Sequence, residues 1–188
     1  NFKAGNPIGN WQYFFENGKI KQKVTFNSER LTSYQFFFEN GNLKTELSSI
    51  KKVKEGRYTK YFENGSVKLT GYYDKGIKDS LWTEYAESGE LISSATYKFG
   101  KGYHRGYFLD GQLKHEGPVY KDWSEGVWKY YDKSGPLQSK GLEMQGVRNG
   151  FWQFFHLDGS MASEGEYRLG KPHGEWKYYY ETGQINSK

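Results

Sequence analysis

The stretch Tyr167-Arg168-Leu169-Gly170-Lys171-Pro172-His173-Gly174-Glu175-Trp176-Lys177-Tyr178-Tyr179-Tyr180-Glu181-Thr182-Gly183 sets two glycine-marked turns around a run of large rings. Its last Gly has counterparts along the whole chain. A turn-forming dipeptide ending in Gly recurs at Asn17-Gly18, Asn40-Gly41, Asn64-Gly65, Ser88-Gly89, Asp110-Gly111, Ser134-Gly135, Asp158-Gly159 and Thr182-Gly183, at spacings of 23, 24, 24, 22, 24, 24 and 24 residues. Counting from each Gly, position −4 is aromatic in every copy: Phe14, Phe37, Tyr61, Tyr85, Tyr107, Tyr131, Phe155 and Tyr179. Position +2 is aliphatic or Met (Ile20, Leu43, Val67, Leu91, Leu113, Leu137, Met161, Ile185). Position −7 is Trp11, Tyr34, Tyr58, Trp82, His104, Trp128, Trp152 or Trp176. Eight copies agreeing at three positions establish a tandem repeat.

The repeat explains an unusual composition. The chain of 188 residues is only 35% hydrophobic but 19% aromatic, and its mean hydropathy is −0.94. Leu, Ile and Val are too few for a conventional two-layer core. Disorder is excluded by 17 Tyr, 13 Phe and 6 Trp. The absence of Cys rules out disulfides, thiolate metal sites and a cysteine nucleophile. No apolar run approaches the roughly 20 residues of a membrane span, and no signal-peptide pattern opens the chain. The first residue is Asn1 rather than Met, which suggests a processed form or part of something longer. The net charge of +5 is spread as 27 basic and 22 acidic residues with no block beyond Lys51-Lys52-Val53-Lys54, and reads as a solubility feature.

Each unit reads as a β-hairpin, because Asn-Gly and Asp-Gly tolerate the positive φ angles of a tight type I′ turn. A two-residue turn sets position −3 against +2 and position −7 against +6. Position +6 is small in five units (Gly71, Ala95, Gly117, Gly141, Gly165), leaving room for the large ring opposite. On this register one face carries positions −7, −5, −3, +2 and an aromatic +8 (Phe26, Tyr73, Tyr97, Tyr167) and forms the core. The other face is polar apart from the −4 rings. A four-residue loop keeps that assignment, whereas a three-residue loop with a bulge swaps the faces of one strand.

Between hairpins a second turn is expected at Gly170-Lys171-Pro172-His173-Gly174, echoed in Gly5-Asn6-Pro7-Ile8-Gly9, Gly76-Ile77-Lys78-Asp79-Ser80 and Gly146-Val147-Arg148-Asn149-Gly150, with Pro7 and Pro172 at equivalent places. No stretch shows a helical period. The expected fold is all-β: one array over residues 1–188 of about eight hairpin repeats of 22–24 residues, with a half unit at 1–9, forming an elongated, twisted, single-layer antiparallel sheet. At about 4.8 Å per strand such a rod is roughly 75 Å long.

The unit Tyr167 to Gly183 resembles the MORN-repeat variant family, over essentially the whole chain. The second and fifth units depart: the second lacks the Gly before Tyr34, and the fifth is short with His104 in place of Trp. The compartment stays open, with an exported or cell-envelope setting favoured over the cytoplasm. The resemblance implies a hairpin rod, occurrence largely in bacteria and use as a non-enzymatic interaction scaffold. It also implies, in some members, an antitoxin or immunity partner to a secreted toxin. A second resemblance, carried by Phe155-His156-Leu157-Asp158-Gly159-Ser160-Met161-Ala162, is to cell-wall-binding repeats that cage choline or glucans between rings; their period is nearer 20 residues.

Candidate functional residues follow from this reading. The four His (His104, His115, His156, His173) lack metal-site spacing, no nucleophile elbow or phosphate-cradling motif occurs, and no cofactor is expected. The stripe Phe14, Phe37, Tyr61, Tyr85, Tyr107 and Tyr131, flanked by Lys21, Lys44, Lys68 and Lys114, is a candidate aromatic and basic binding surface; the alternative is that these rings cover the back of the sheet, protected by lysine stems. A second candidate is the irregular epitope Tyr103, His104, Arg105 and Trp123, where Trp123 reads as an insertion without counterpart in other units. The expected partner is a protein, with a carbohydrate, cell-wall or lipid-headgroup surface as the alternative reading. Interspersed Glu disfavours nucleic acid. Uncapped ends allow the array to continue or to pair edge to edge.

Overall fold

The computed structural model describes residues 2–3, 6–26 and 31–188, and no helix occurs among them. The chain forms two compact units: residues 1–91 with 97–99, and residues 92–96 with 100–188. A short antiparallel pair, β1 (Phe2–Lys3) with β2 (Asn6–Pro7), precedes the repeats of the first unit. The first unit then runs as β3 (Gly9–Phe14), β4 (Ile20–Phe26), β5 (Leu31–Phe37), β6 (Leu43–Ile50), β7 (Val53–Tyr61), β8 (Val67–Asp74) and β9 (Ile77–Tyr85). These strands form an open sheet in which each pairs antiparallel with its chain neighbour. The strand β10 (Leu91–Lys98) has its ends in the first unit and Ile92–Thr96 in the second.

The second unit continues with β11 (Lys101–Tyr107), β12 (Leu113–Tyr120), β13 (Trp123–Ser124), β14 (Gly126–Tyr131), β15 (Leu137–Met144), β16 (Val147–Phe155), β17 (Met161–Arg168), β18 (Lys171–Tyr179) and β19 (Ile185–Ser187). It too is an open antiparallel sheet with neighbours in chain order, where β12 pairs with both β13 and β14. The expected tandem hairpins are therefore present in each unit.

The turn chemistry differs from the expectation. At Asn64-Gly65 only the Gly has positive φ (89°), so the turn is not type I′. The Gly65 N–H donates to the Phe62 carbonyl at 3.0 Å and the Phe62 N–H to the Ser66 carbonyl at 2.8 Å, which defines a three-residue loop closed by a glycine bulge. The Asn64 side chain accepts the Ser66 N–H at 2.8 Å, which explains why Asn or Asp recurs there. The same pair of backbone bonds closes all eight loops. The two-residue turns with both φ positive lie instead between hairpins, at Lys51-Lys52, Lys75-Gly76, Phe99-Gly100, Lys121-Asp122, Gln145-Gly146 and Leu169-Gly170. The expected long second turn is corrected accordingly: Lys171–Tyr179 is a strand, Pro172 pairs with Tyr167 inside the ladder, and Gly174 is a positive-φ bulge. Gly5, one end of the expected turn at Gly5–Gly9, lies outside the described residues.

Two offsets then cancel. The three-residue loop pairs position −4 with +2 (Tyr61 with Val67), not −3 with +2. A bulge follows at position +3, so Lys60 pairs with Leu69, and position −7 meets +6 as expected: Tyr58 with Gly71, Trp128 with Gly141, Trp152 with Gly165. Directly opposed residues share a face. The aliphatic residues at +2 therefore stand with the −4 rings, on the face opposite the Trp row, whereas −7, −5 and +8 do share the core face.

The core is a run of rings. In the second unit Trp128, Tyr130, Trp152, Phe154, Trp176 and Tyr178 follow one another at centroid separations of 6.0–6.4 Å, with Tyr167 edge-on to Trp152 and Trp176. Four of the six indoles lie on the glycine of the hairpin before them: Trp82 on Gly71, Trp128 on Gly117, Trp152 on Gly141, Trp176 on Gly165, and any Cβ at those glycines would overlap the ring. The glycines thus admit the ring of the next hairpin, not only the one opposite in their own. The indole N–H donates to the carbonyl one residue beyond the Gly, in Trp82 to Tyr72 (3.1 Å), Trp128 to Pro118 (2.9 Å) and Trp152 to Leu142 (2.9 Å). Trp152 is fully buried. Truncating such a ring costs about 3–5 kcal/mol, enough to set the register between hairpins. Gly141→Ala keeps a strand-compatible backbone but drives a methyl into Trp152, so a loss of about 1–3 kcal/mol is expected in urea unfolding followed by Trp fluorescence; an unchanged midpoint would contradict the interlock.

Candidate functional site

The lysines of the expected stripe sit differently from the sequence reading. Lys21, Lys44, Lys68 and Lys114 are the +3 bulge residues, and their ammonium groups lie over the rings at position −3: Phe15 at 5.8 Å, Phe38 at 5.3 Å, Phe62 at 5.1 Å and Phe108 at 5.7 Å. They do not flank the −4 row. The −4 rings instead reach back to position +5 of the preceding hairpin. Phe37 lies under Lys23 at 5.4 Å and Phe155 under Lys140 at 5.6 Å. Tyr61 donates to Glu46 at 2.7 Å, Tyr131 to Glu116 at 3.0 Å and Tyr179 to Glu164 at 2.9 Å, and Tyr107 shares a hydrogen bond with Ser94 at 3.2 Å. Tyr85 follows Thr70 in the same column. Phe37 and Phe155 are thus matched by a cation, and Tyr61, Tyr131 and Tyr179 by a carboxylate. Burial and Glu116 push the Tyr131 hydroxyl up to about 12, and burial and Glu46 raise Tyr61. Phe14 is 55% exposed.

The irregular epitope divides between two faces. Arg105 stacks over Tyr103 at 5.1 Å and pairs with Glu116 at 3.3 Å, beside Tyr131. His104 points to the other face, where its ring stacks on His115 at 5.3 Å with planes 11° apart, and both meet Trp128 at 5.8 Å. Trp123 stands at the turn end, paired with Tyr120. It is no insertion. Lys121-Asp122 is a regular two-residue turn, and Trp123 occupies the place held by Val53, Ile77, Val147 and Lys171 elsewhere. What shortens the fifth unit is the lack, within Lys101–Tyr107, of the positive-φ bulge found at Gly56, Gly126, Gly150 and Gly174.

A polar cluster that the sequence reading did not assemble replaces rings of the core row here. Hairpins six to eight pair an aromatic −5 with Ser at +4: Tyr130 with Ser139, Phe154 with Ser163, Tyr178 with Ser187. Hairpin five inverts the sizes, pairing Gly106 with His115, and a Cβ at Gly106 would overlap that imidazole. The signal was available as a missing ring at −5 and an unusual one at +4. Position +8 of the sixth hairpin is Glu143, buried, accepting from Tyr130 at 2.6 Å and from Ser124. Burial lowers His115 to about 4, His104 and Lys114 act in the same direction, and Glu143 opposes them. Burial and Glu143 raise Tyr130. No group of three or more His, Cys, Asp or Glu among the described residues could hold a metal ion.

A groove of about 980 Å³ opens at this turn end, on the face that carries Tyr103, and Lys101, Pro118, Tyr120, Lys121, Trp123 and Glu125 contribute to its lining. Trp123 is 60% exposed and Tyr120 42%.

Two outcomes test the geometry. Glu46→Lys combined with Tyr61→Phe recreates the Phe-under-Lys arrangement, so the double variant should be more stable than the sum of the single losses by about 0.5–1 kcal/mol in a double-mutant cycle. For His115, both states are neutral above about pH 6.5; as pH falls toward about 4 the unfolded chain takes up a proton that the folded chain resists, and stability is lost. Melting temperature should therefore fall less between about pH 7 and about pH 4.5 in His115→Phe than in the parent protein; parallel curves would contradict this.

Comparison with curated proteins finds no match. A chain in the crystal structure of the GtfA/B complex bound to UDP and GlcNAc is similar at 13% identity and a TM-score of 0.26, over 71% of this chain and 27% of that one, a likeness that carries no argument. The family model described as MORN repeat variant matches residues 7–28, 33–51, 54–75, 78–99 and 172–188. It includes the second hairpin, expected to depart, and omits 100–171, where the structure nonetheless repeats the indole-on-glycine contact at Gly117, Gly141 and Gly165. With more than half of the sequence matched and the hairpin geometry continuing beyond the matched segments, the chain belongs to the MORN repeat variant family.

Proposed function

We propose that the chain is a non-catalytic repeat scaffold that holds a protein partner. The observation that carries this reading is Trp123: a position held elsewhere by Val, Ile or Lys bears the largest side chain, mostly solvent-exposed, beside a second exposed ring. Exposed Trp and Tyr in a concave, partly apolar setting are typical anchors of protein interfaces. The −4 rings, by contrast, spend their polar edges and faces on the preceding hairpin, and most polar groups of the turns close their own loops. This division suits a scaffold whose columns build the sheet and whose irregular positions select the partner. Two roles fit such a scaffold, a component of an envelope complex and an immunity partner that neutralises a secreted toxin, and the product of the neighbouring gene separates them.

Affinity capture with the intact protein, run beside Trp123→Ala, tests the reading. One stoichiometric protein is expected, at least about tenfold depleted with the variant. Recovery of no protein, together with a Trp fluorescence shift on adding cell-wall polysaccharide, would replace the protein partner with a carbohydrate.

A further inference from the structure

The groove beside Trp123 exists because the ladder is interrupted there. In a regular junction β15 and β16 pair through Gly141 with Trp152 and again beyond the bulge at Glu143 with Arg148. At the corresponding place β12 carries Pro118, which has no N–H to donate. Pairing with β14 is limited to His115 with Tyr130 and Glu116 with Lys129, and resumes only in the two-residue β13. The Pro118 carbonyl is already taken by the Glu125 N–H at 3.0 Å and the Trp128 indole at 2.9 Å. The seam therefore opens onto side chains: Pro118 below, with Tyr120 and Trp123 opposed across β12 and β13. Trp123 is braced, since its ring stands against Gly146 at the next turn.

The charges of the groove are unequal in availability. The Glu125 carboxylate accepts the Gln145 backbone N–H at 3.2 Å. Lys121 rests over the Tyr120 ring at 5.3 Å with its ammonium open to a further partner, and Lys101 lies exposed on the adjoining strand. The groove thus offers two cations and one carboxylate beside two rings, a net positive charge.

We infer that this groove takes an extended protein segment carrying an Asp or Glu next to an apolar or aromatic side chain, the carboxylate meeting Lys101 and Lys121 and the apolar group seated against Trp123 and Tyr120. A carboxylate gains charge-assisted hydrogen bonds from both ammonium groups. A neutral sugar would use the indole and leave both cations unmatched, and a flat membrane surface would not enter a concave seam. The inference rests on the scaffold reading above and adds to it the chemistry of the partner's contact segment.

The test is selection of a random short-peptide phage library on the intact protein, with the recovered peptides synthesised and titrated by fluorescence anisotropy. Acid-bearing apolar sequences are expected. Their affinity should drop at least about tenfold in Trp123→Ala and again in the Lys101→Glu, Lys121→Glu double variant. It should also weaken as salt rises from about 0.05 M to about 0.3 M. Enrichment of neutral or basic peptides, failure to enrich any, or binding indifferent to both variants would overturn the inference. If Trp123→Ala loses the captured protein partner while the lysine double variant retains it in full, the acidic-segment assignment fails while the scaffold reading stands.

Discussion

An indole of one hairpin lying flat on a residue without a side chain in the hairpin before it is the contact on which the rest of this structure depends. A sheet one layer thick cannot bury Leu and Val between two faces, so it must find its apolar burial along its own surface. Trp and Tyr do this because one ring spans from its strand to the next, and Gly71, Gly117, Gly141 and Gly165 let it approach the backbone. The bulges follow from the same contact. Between Gly141 and Glu143 the register skips Leu142, whose carbonyl is then free to accept the Trp152 indole. Measured by truncation costs, the interlock outweighs the lysine-on-phenylalanine contacts at the other end of the hairpins, which are worth about 0.5–1 kcal/mol each when exposed.

A second system ties hairpins together on the opposite face. The partner at +5 changes with the ring at −4 of the next hairpin, lysine beneath phenylalanine and an oxygen acceptor beneath tyrosine. Such pairing is weak singly but directional, and it distinguishes neighbouring hairpins whose turns and cores are otherwise alike. The family is defined by the shared columns. The individuality of this chain lies where they fail: Gly106 and His115 exchange sizes, Glu143 stands in an aromatic column, Pro118 opens a seam, and Trp123 occupies a site meant for a smaller residue.

Tandem hairpins, their number and their period were legible in the sequence because turn dipeptides and rings recur at fixed offsets. The pairing of −7 with +6 was legible for a reason the sequence did not reveal: a three-residue loop and a bulge at +3 each displace the register by one, in opposite directions. The face of the +2 residues was misread for that reason, because it lies between the two displacements. Asn-Gly also misled, being the strongest short signal for a type I′ turn; here Asn supplies a side-chain acceptor and only Gly takes positive φ. The inter-hairpin turns at Lys51-Lys52 and Lys121-Asp122 carry no Gly at all, so local propensity could not have located them.

By itself the sequence determined what this chain is: an all-β array of ring-bearing hairpins, since periodic chemistry is a property of linear order. Only the tertiary structure decided which ring lies on which glycine, that Lys21, Lys44, Lys68 and Lys114 serve position −3, and that His104, His115, Tyr130 and Glu143 converge. The physical reason is that contacts between hairpins join positions about ten to fifteen residues apart through bulges. One extra residue in a strand turns every side chain beyond it to the other face, and no local pattern records where that residue is placed.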